Sequence, residues 1–181
     1  LLAEDYQRAH LELYRRWTPA VANPRILKTD VFAEAMCPQR AFSWQLTADG
    51  QLVSIDISAD LTAKARETAI KTDHPDALYV IADARLLPFA DGAFDIIVSD
   101  STLDHFASVT EITTALFELA RVLRPGGTLI ITLDNPRNLT QPLMALWLKL
   151  GWSPFFIGET MSRRALVAAL EEVGLTVIDT D

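Results

Sequence analysis

Aspartates in this chain recur at one kind of place, the end of a short β-branched or apolar run. Asp56 lies near the end of LVSIDI (52–57) and Asp83 follows LYVIA (78–82). Ser99-Asp100 closes FDIIVSD (94–100), and Asp134-Asn135 follows TLIITL (128–133). A carboxylate between a strand and a helix can accept both hydroxyl protons of a ribose diol. One strand later, a second carboxylate can accept from an adenine amino group. The structural alternative is an acid that only stabilises a helix N-terminus through its dipole. Two acids after two consecutive strands favour the ligand reading. Asp104-His105 joins a carboxylate to a side chain that ordinarily titrates near neutrality, a pair suited to taking a proton from an acceptor. For His105 the alternative is capping a helix or packing under a loop. His10 and His74 read as surface or turn residues.

The elements that must position these groups alternate. Residues 4–17 form an amphipathic helix with Leu11, Leu13, Tyr14 and Trp17 as apolar contacts, ended by Pro19 and Pro24. Residues 25–32 read as a strand running into a polar turn, and a weakly helical stretch, 33–48, follows. Strands follow over 52–57, 78–82, 94–99, 128–133 and 175–178. Between them lie helices: one capped by Ser58, with Leu61, Ala65 and Ala69 on one face; one opened by a capping box of Ser108 and Glu111; and one over 160–173. Pro125-Gly126-Gly127 is expected to stop the second of these helices. The alternation predicts a doubly wound, mainly parallel α/β sheet in three layers, α/β/α, with ligands at the carboxyl ends of the strands.

A single domain over 1–181 suits the length. Residues 1–24 are read as an N-terminal helical cap. The net charge is −8 with no basic cluster, which disfavours nucleic acid as a partner. The single cysteine, Cys37, excludes an internal disulfide framework and a cysteine-based zinc site, and no metal is expected. No run of apolar residues is long enough to span a bilayer and no secretory signal is visible, so a cytoplasmic location is expected.

IDIS (55–58), ADA (82–84), LPFADGAFDIIVSDSTLDHF (87–106 at its core), ELARVLRPGGTLIITLDNP (118–136) and GETMSRRALVAALEEVGLTVI (158–178) together resemble a class I S-adenosylmethionine-dependent methyltransferase of the small-molecule type. The resemblance covers roughly residues 25–180. It implies that Asp56 holds the cofactor's ribose hydroxyls, with Ile57 beside it. It implies that Asp83 holds the adenine amino group, with a backbone contact from Ala84, and that Ser99 and Asp100 lie at the methionine end. His105 with Asp104 is the candidate base. Arg124–Gly127 is structural in this family and is not counted as a site.

One departure stands out. The family usually places a glycine-rich turn after the first strand so that backbone and cofactor can meet closely. Residues 1–49 contain no glycine, and Leu27-Lys28-Thr29-Asp30 followed by VFAEA takes the place. The reading adopted is a variant loop in which Lys28, Thr29 or Asp30 contacts the cofactor through side chains. Loss of cofactor binding, and a sequence short of residues here, are the alternatives. Residues 136–160 form an apolar insert with Trp147, Trp152, Phe155 and Phe156. They suit a lid over a small, partly apolar acceptor; an oligomer contact or plain core fits as well. Competing functions are a non-catalytic methyltransferase-like binding or scaffold protein, and a nicotinamide-dependent oxidoreductase. The latter is disfavoured by the missing G-x-G-x-x-G.

Overall fold

Hydrophobic residues on both sides of each central strand build a sheet with two buried faces. The computed structural model describes residues 2–18, 21–133 and 158–180. In chain order the elements are α1 (Leu2–Trp17), β1 (Arg25–Thr29), α2 (Phe32–Met36), β2 (Gln51–Asp56), α3 (Ala59–Lys71), β3 (Leu78–Ile81), β4 (Phe94–Asp100), α4 (Val109–Val122), β5 (Leu123–Thr132) and α5 (Arg163–Glu172). All strand pairs are parallel, in the order β3-β2-β1-β4-β5. Side chains alternate across a strand, so neighbours enter different cores. Leu27, Val53, Ile55 and Ile97 pack with Ile112, Leu116 and Leu119 of α4 and Ala169 of α5. Ile26, Leu52, Ile96 and Val98 pack with Leu11 of α1 and Ala65 and Ala69 of α3. The result is the three-layer α/β/α architecture expected from the alternation. No described helix is long and apolar enough to cross a membrane.

Helix starts follow the caps. Ser58 Oγ accepts from the Leu61 N–H at 3.3 Å and Ser108 Oγ from the Glu111 N–H at 3.3 Å, each satisfying an N-terminal donor that has no partner within its helix. The box at Ser108 is not reciprocal: the Glu111 carboxylate accepts from the Ala107 N–H, one residue earlier, at 2.8 Å. Ser162 caps α5 in the same way.

Three expectations are corrected. The stretch 33–48 contains only the five-residue α2; Pro38–Arg40 and Phe42–Asp49 are tighter 3₁₀ turns. Pro125-Gly126-Gly127 does not stop α4, which ends when Leu123 turns extended. It forms a bulge inside β5 instead. Leu123 pairs with Phe94 and Thr128 with Ile96, so four residues of β5 oppose Asp95, and Gly126 takes φ +75°. Residues 175–178 form no strand; they pair with no strand among the described residues, and their β-branched pattern alone is not enough. Asp134, Asn135 and residues 136–157 of the apolar insert lie outside the described residues.

The turn 87–92, which leads into β4, is held by α4. Glu118 Oε2 accepts from the Leu87 N–H at 2.8 Å. Arg121 donates to the Leu87 carbonyl (3.0 Å), the Phe89 carbonyl (2.8 Å) and Asp91 Oδ1 (2.8 Å), and is itself gripped by Glu118. Removing Glu118 strands a buried donor. Glu118→Ala is expected to lower unfolding stability in urea by about 1–3 kcal/mol, and Glu118→Gln, which keeps an acceptor, by less.

Candidate functional site at the strand ends

The chain adds strands outward from β1 through β2 to β3, then returns to the other side of β1 with β4 and β5. The crevice therefore opens between β1 and β4, where the winding reverses. A cavity of about 720 Å³ occupies it, within the range of small-molecule sites. Its wall carries Asp30 just after β1, Asp56 at the end of β2 and Ile57 after it, Asp83 and Ala84 after β3, and Asp100 at the end of β4. A larger groove of about 1060 Å³ runs along β5 and residues 173–180. About half of its wall is Leu, Ile and Val, and no set of carboxylates converges there among the described residues, so the smaller cavity is the candidate site.

Each carboxylate is fixed by a different partner. Asp56 Oδ1 accepts from the Ser58 N–H (2.8 Å) and Oδ2 from the Val31 N–H (3.3 Å), which couples the β2 end to the loop after β1. Asp83 is gripped by Arg85, whose Nε lies 3.0 Å from both carboxylate oxygens and whose Nη2 donates to Oδ2 at 2.6 Å. That fork holds the Asp83 carboxyl below the usual carboxylate range. Arg85 also reaches Glu111 and lies 5.4 Å from the centre of the Phe106 ring. Asp100 Oδ1 accepts from the Thr132 hydroxyl (2.5 Å) and lies 3.0 Å from Nε2 of His10. His10 is thus no surface residue. It joins α1 to the strand end, while His74 stacks on Trp44 with ring centres 4.9 Å apart.

The loop after β1 keeps a glycine-like backbone without glycine. Asp30 sits at φ +129° and Ser101, across the switch point, at φ +49°. Such conformations cost about 1–3 kcal/mol in a residue with a side chain and persist only where the surroundings impose them. Asp30 Oδ1 accepts from the Phe32 N–H at 2.5 Å. Burial, the largest influence, pushes the Asp30 carboxyl above the usual range despite the attraction of Lys28.

Of the residues singled out in the sequence, Asp30, Asp56, Ile57, Asp83, Ala84, Asp100, Thr29 and His105 line the cavity. Ile57 is 67% exposed and offers an apolar lip. Lys28, Ser99 and Asp104 do not line it; all three are buried. Lys28 turns inward to Glu34. Ser99 accepts from the Thr29 hydroxyl at 3.1 Å, and the Thr102 hydroxyl lies 2.7 Å from that of Thr29, a small polar cluster tying β1 to β4. The backbone carbonyl of Asp104 accepts from the Gly158 N–H at 2.7 Å, and the Phe106 carbonyl accepts from the Glu159 N–H at 2.8 Å, so the chain returning from the insert is stitched to the His105 turn. A side chain at Gly158 would meet the Phe106 carbonyl oxygen at 2.0 Å, so only glycine fits there. Sequence reasoning missed Arg85, Thr102 and Phe106. Arg85, two residues after Asp83, was the one visible signal.

With the site defined, comparison with known proteins assigns its class. The profile described as "Methyltransferase domain" matches residues 35–131, more than half of the chain. The chain belongs to that methyltransferase family. It is 31% identical over 170 residues to the malonyl-[acyl-carrier protein] O-methyltransferase of Enterobacter lignolyticus, covering 93% of this chain and 63% of that protein. It is 34% identical over 101 residues to the ubiquinone/menaquinone biosynthesis C-methyltransferase UbiE of Hahella chejuensis, covering 55% and 39%. The chain spans about a quarter to two thirds of the length of these and other curated relatives it matches. Among solved structures it is similar to the [4+2]-cyclase SpnF, with a TM-score of 0.71, 21% identity and coverage of 96% of this chain and 58% of that one. It is also similar to Haemonchus contortus phosphoethanolamine N-methyltransferase 2, solved with S-adenosylhomocysteine, with a TM-score of 0.69, 18% identity and coverage of 92% and 37%. S-adenosylmethionine is the cofactor of the family to which the chain belongs.

The strain at Asp30 is open to measurement. Asp30→Ala and Asp30→Gly lose the same bond from Phe32, but only glycine relieves the positive φ. Asp30→Gly is expected to be more stable than Asp30→Ala by about 1–2 kcal/mol in urea unfolding; equal stability would show that the backbone there is unstrained.

Proposed function

We propose that this chain binds S-adenosylmethionine in the switch-point cavity and transfers its methyl group to a small, partly apolar acceptor. The observation that carries the reading is the row of carboxylates on one wall of the cavity: Asp83, Asp56, Asp30 and Asp100. Asp56 faces the cavity and suits the ribose hydroxyls. Asp83, oriented by Arg85, suits the adenine amino group, with Ala84 beside it and Ile57 packing on the base. Asp30 and Asp100 suit the cationic end, where opposite charge favours binding. When bound, the cofactor supplies a methyl group already activated by its sulfonium. The protein then has to align the acceptor, exclude water and, for a hydroxyl or amine, take a proton. His105, on the cavity wall, is the group placed to take it. Gly158 and Glu159, near the end of the apolar insert 136–160, bond to this turn, which supports reading the insert as the acceptor-side cover. The likeness to a malonyl-[acyl-carrier protein] O-methyltransferase and to a ubiquinone/menaquinone biosynthesis C-methyltransferase supports an acceptor group of metabolite size.

Calorimetry with S-adenosylmethionine, S-adenosylhomocysteine and NADH tests the reading; binding of NADH alone would overturn it. Asp56→Ala is expected to weaken S-adenosylhomocysteine binding by about tenfold or more, or about 1.4 kcal/mol. His105→Ala should lower turnover with little change in cofactor affinity, and unaltered turnover removes its role as base.

Two of the cavity acids, Asp30 and Asp83, should separate in pH. The folded-state pKa of Asp30 is raised. Its protonated form is favoured, so any stability from neutralising it is present below the ordinary carboxylate pKa of about 3.9 and lost as pH rises through the folded value. That of Asp83 is lowered, so its contribution is present above about 3.9 and lost only as pH falls through a still lower value. On acidification Asp30, which faces Lys28, Glu34 and Asp100, loses its charge first. S-adenosylmethionine affinity is expected to fall at a pH where the Asp83–Arg85 pair is intact, and Asp30→Asn should flatten that fall in titrations at stepped pH.

A further inference from the structure

The loop that departs most from the family is anchored by a charge pair that does not itself line the cavity. Lys28 lies in the centre of the sheet, paired with Ser54 of β2 and Val98 of β4, and is 1% exposed. Its ammonium donates to Glu34 Oε2 at 3.2 Å and to the backbone carbonyl of Asp30 at 2.6 Å. Glu34, in α2, is 0% exposed, and its other oxygen accepts from the buried Ser43 hydroxyl. One side chain thus grips both ends of the segment 30–34. That segment contains the residue at φ +129° and the Val31 N–H that reaches Asp56.

A buried ion pair is a poor source of net stability, because desolvation offsets its attraction and apolar residues of similar size often serve as well. Positioning explains its presence better. A residue with a side chain adopts the Asp30 conformation only where its surroundings over-determine it. The gripped carbonyl belongs to that residue.

We propose that Lys28, Glu34 and Ser43 form a clamp that replaces the glycine turn, forcing Asp30 into a glycine-like backbone and so placing Asp30 and Val31 on the cavity wall. Lys28 is then a positioning residue rather than a ligand contact. The clamp's effect on affinity rests on the cofactor-binding reading above; its effect on the loop does not.

The full chain with Lys28→Met and Glu34→Leu together is compared with its parent, in the Asp30 and the Asp30→Gly backgrounds. Thermal melting, hydrogen exchange of amides 31–35 and titration with S-adenosylhomocysteine are measured. With Asp30 present, melting should stay near the parent's while amide exchange accelerates and affinity falls, each by about tenfold or more. In the Asp30→Gly background, where the turn needs no forcing, the same replacement should change both by less than about threefold. Equal losses in the two backgrounds, or unchanged exchange with Asp30 present, overturn the clamp. Glu34→Gln, which keeps the shape and removes the charge, carries the same comparison where the double replacement does not fold. A wild-type chain that does not bind S-adenosylhomocysteine overturns the cofactor reading, and the exchange data alone then decide the clamp.

Discussion

Parallel pairing makes all five strands end at the same edge of the sheet, and the rest of the molecule answers to that constraint. The strand ends of β1, β2, β3 and β4 deliver Asp30, Asp56, Asp83 and Asp100 to one crevice. Carboxylates gathered at a half-buried edge repel one another and lose hydration. Each is stabilised locally: Asp56 by two backbone N–H groups, Asp83 by Arg85, Asp100 by His10 and Thr132, and Asp30 by Lys28 and the Phe32 N–H. The partners come from α1, β1, α2, β5 and the loops, so the packing of those elements is tied to the charge at the site.

The same edge also shapes the backbone. Asp30 and Ser101, on either side of the switch point, both take positive φ. Between them the hydroxyls of Thr29, Ser99 and Thr102 satisfy one another where the strands crowd. A glycine turn would give a similar approach at no steric cost. Here the loop contains no glycine, and the Lys28 ammonium bonds the Asp30 carbonyl and Glu34. The ammonium of Lys28 does this while fully buried: burial alone would lower its pKa, but Asp30, Glu34 and Asp100 outweigh that and keep it charged.

Much of the fold was legible because its signals are local. The β-branched runs at 52–57 and 94–99, the Ser58 and Ser108 caps and the apolar spacing of α4 each state their own element, and each formed within a residue or two. The errors occurred where a partner decides. Pro125-Gly126-Gly127 has the composition of a helix stop, yet its opposition to Asp95 makes it a bulge. Residues 175–178 have the composition of a strand, but a strand exists only with a neighbour to bond. In the site, Asp56 and Asp83 were readable from their place after strands. His10 was not, because its contact with Asp100 spans 90 residues. Lys28 was read as facing the ligand, since nothing in LKTD tells which face of β1 it takes or that Glu34 and Ser43 wait there.

By itself the chain determined the alternation of elements, the doubly wound sheet and the set of acids at its carboxyl edge, because periodicity and caps act over a few residues. Tertiary structure decided which of those polar groups face the cavity and which are spent within the protein. Arg85 orients Asp83, Ser99 turns to Thr29, and Lys28 withdraws to Glu34. Such choices depend on the desolvation and charge of groups brought together from distant parts of the chain, and no local pattern encodes them.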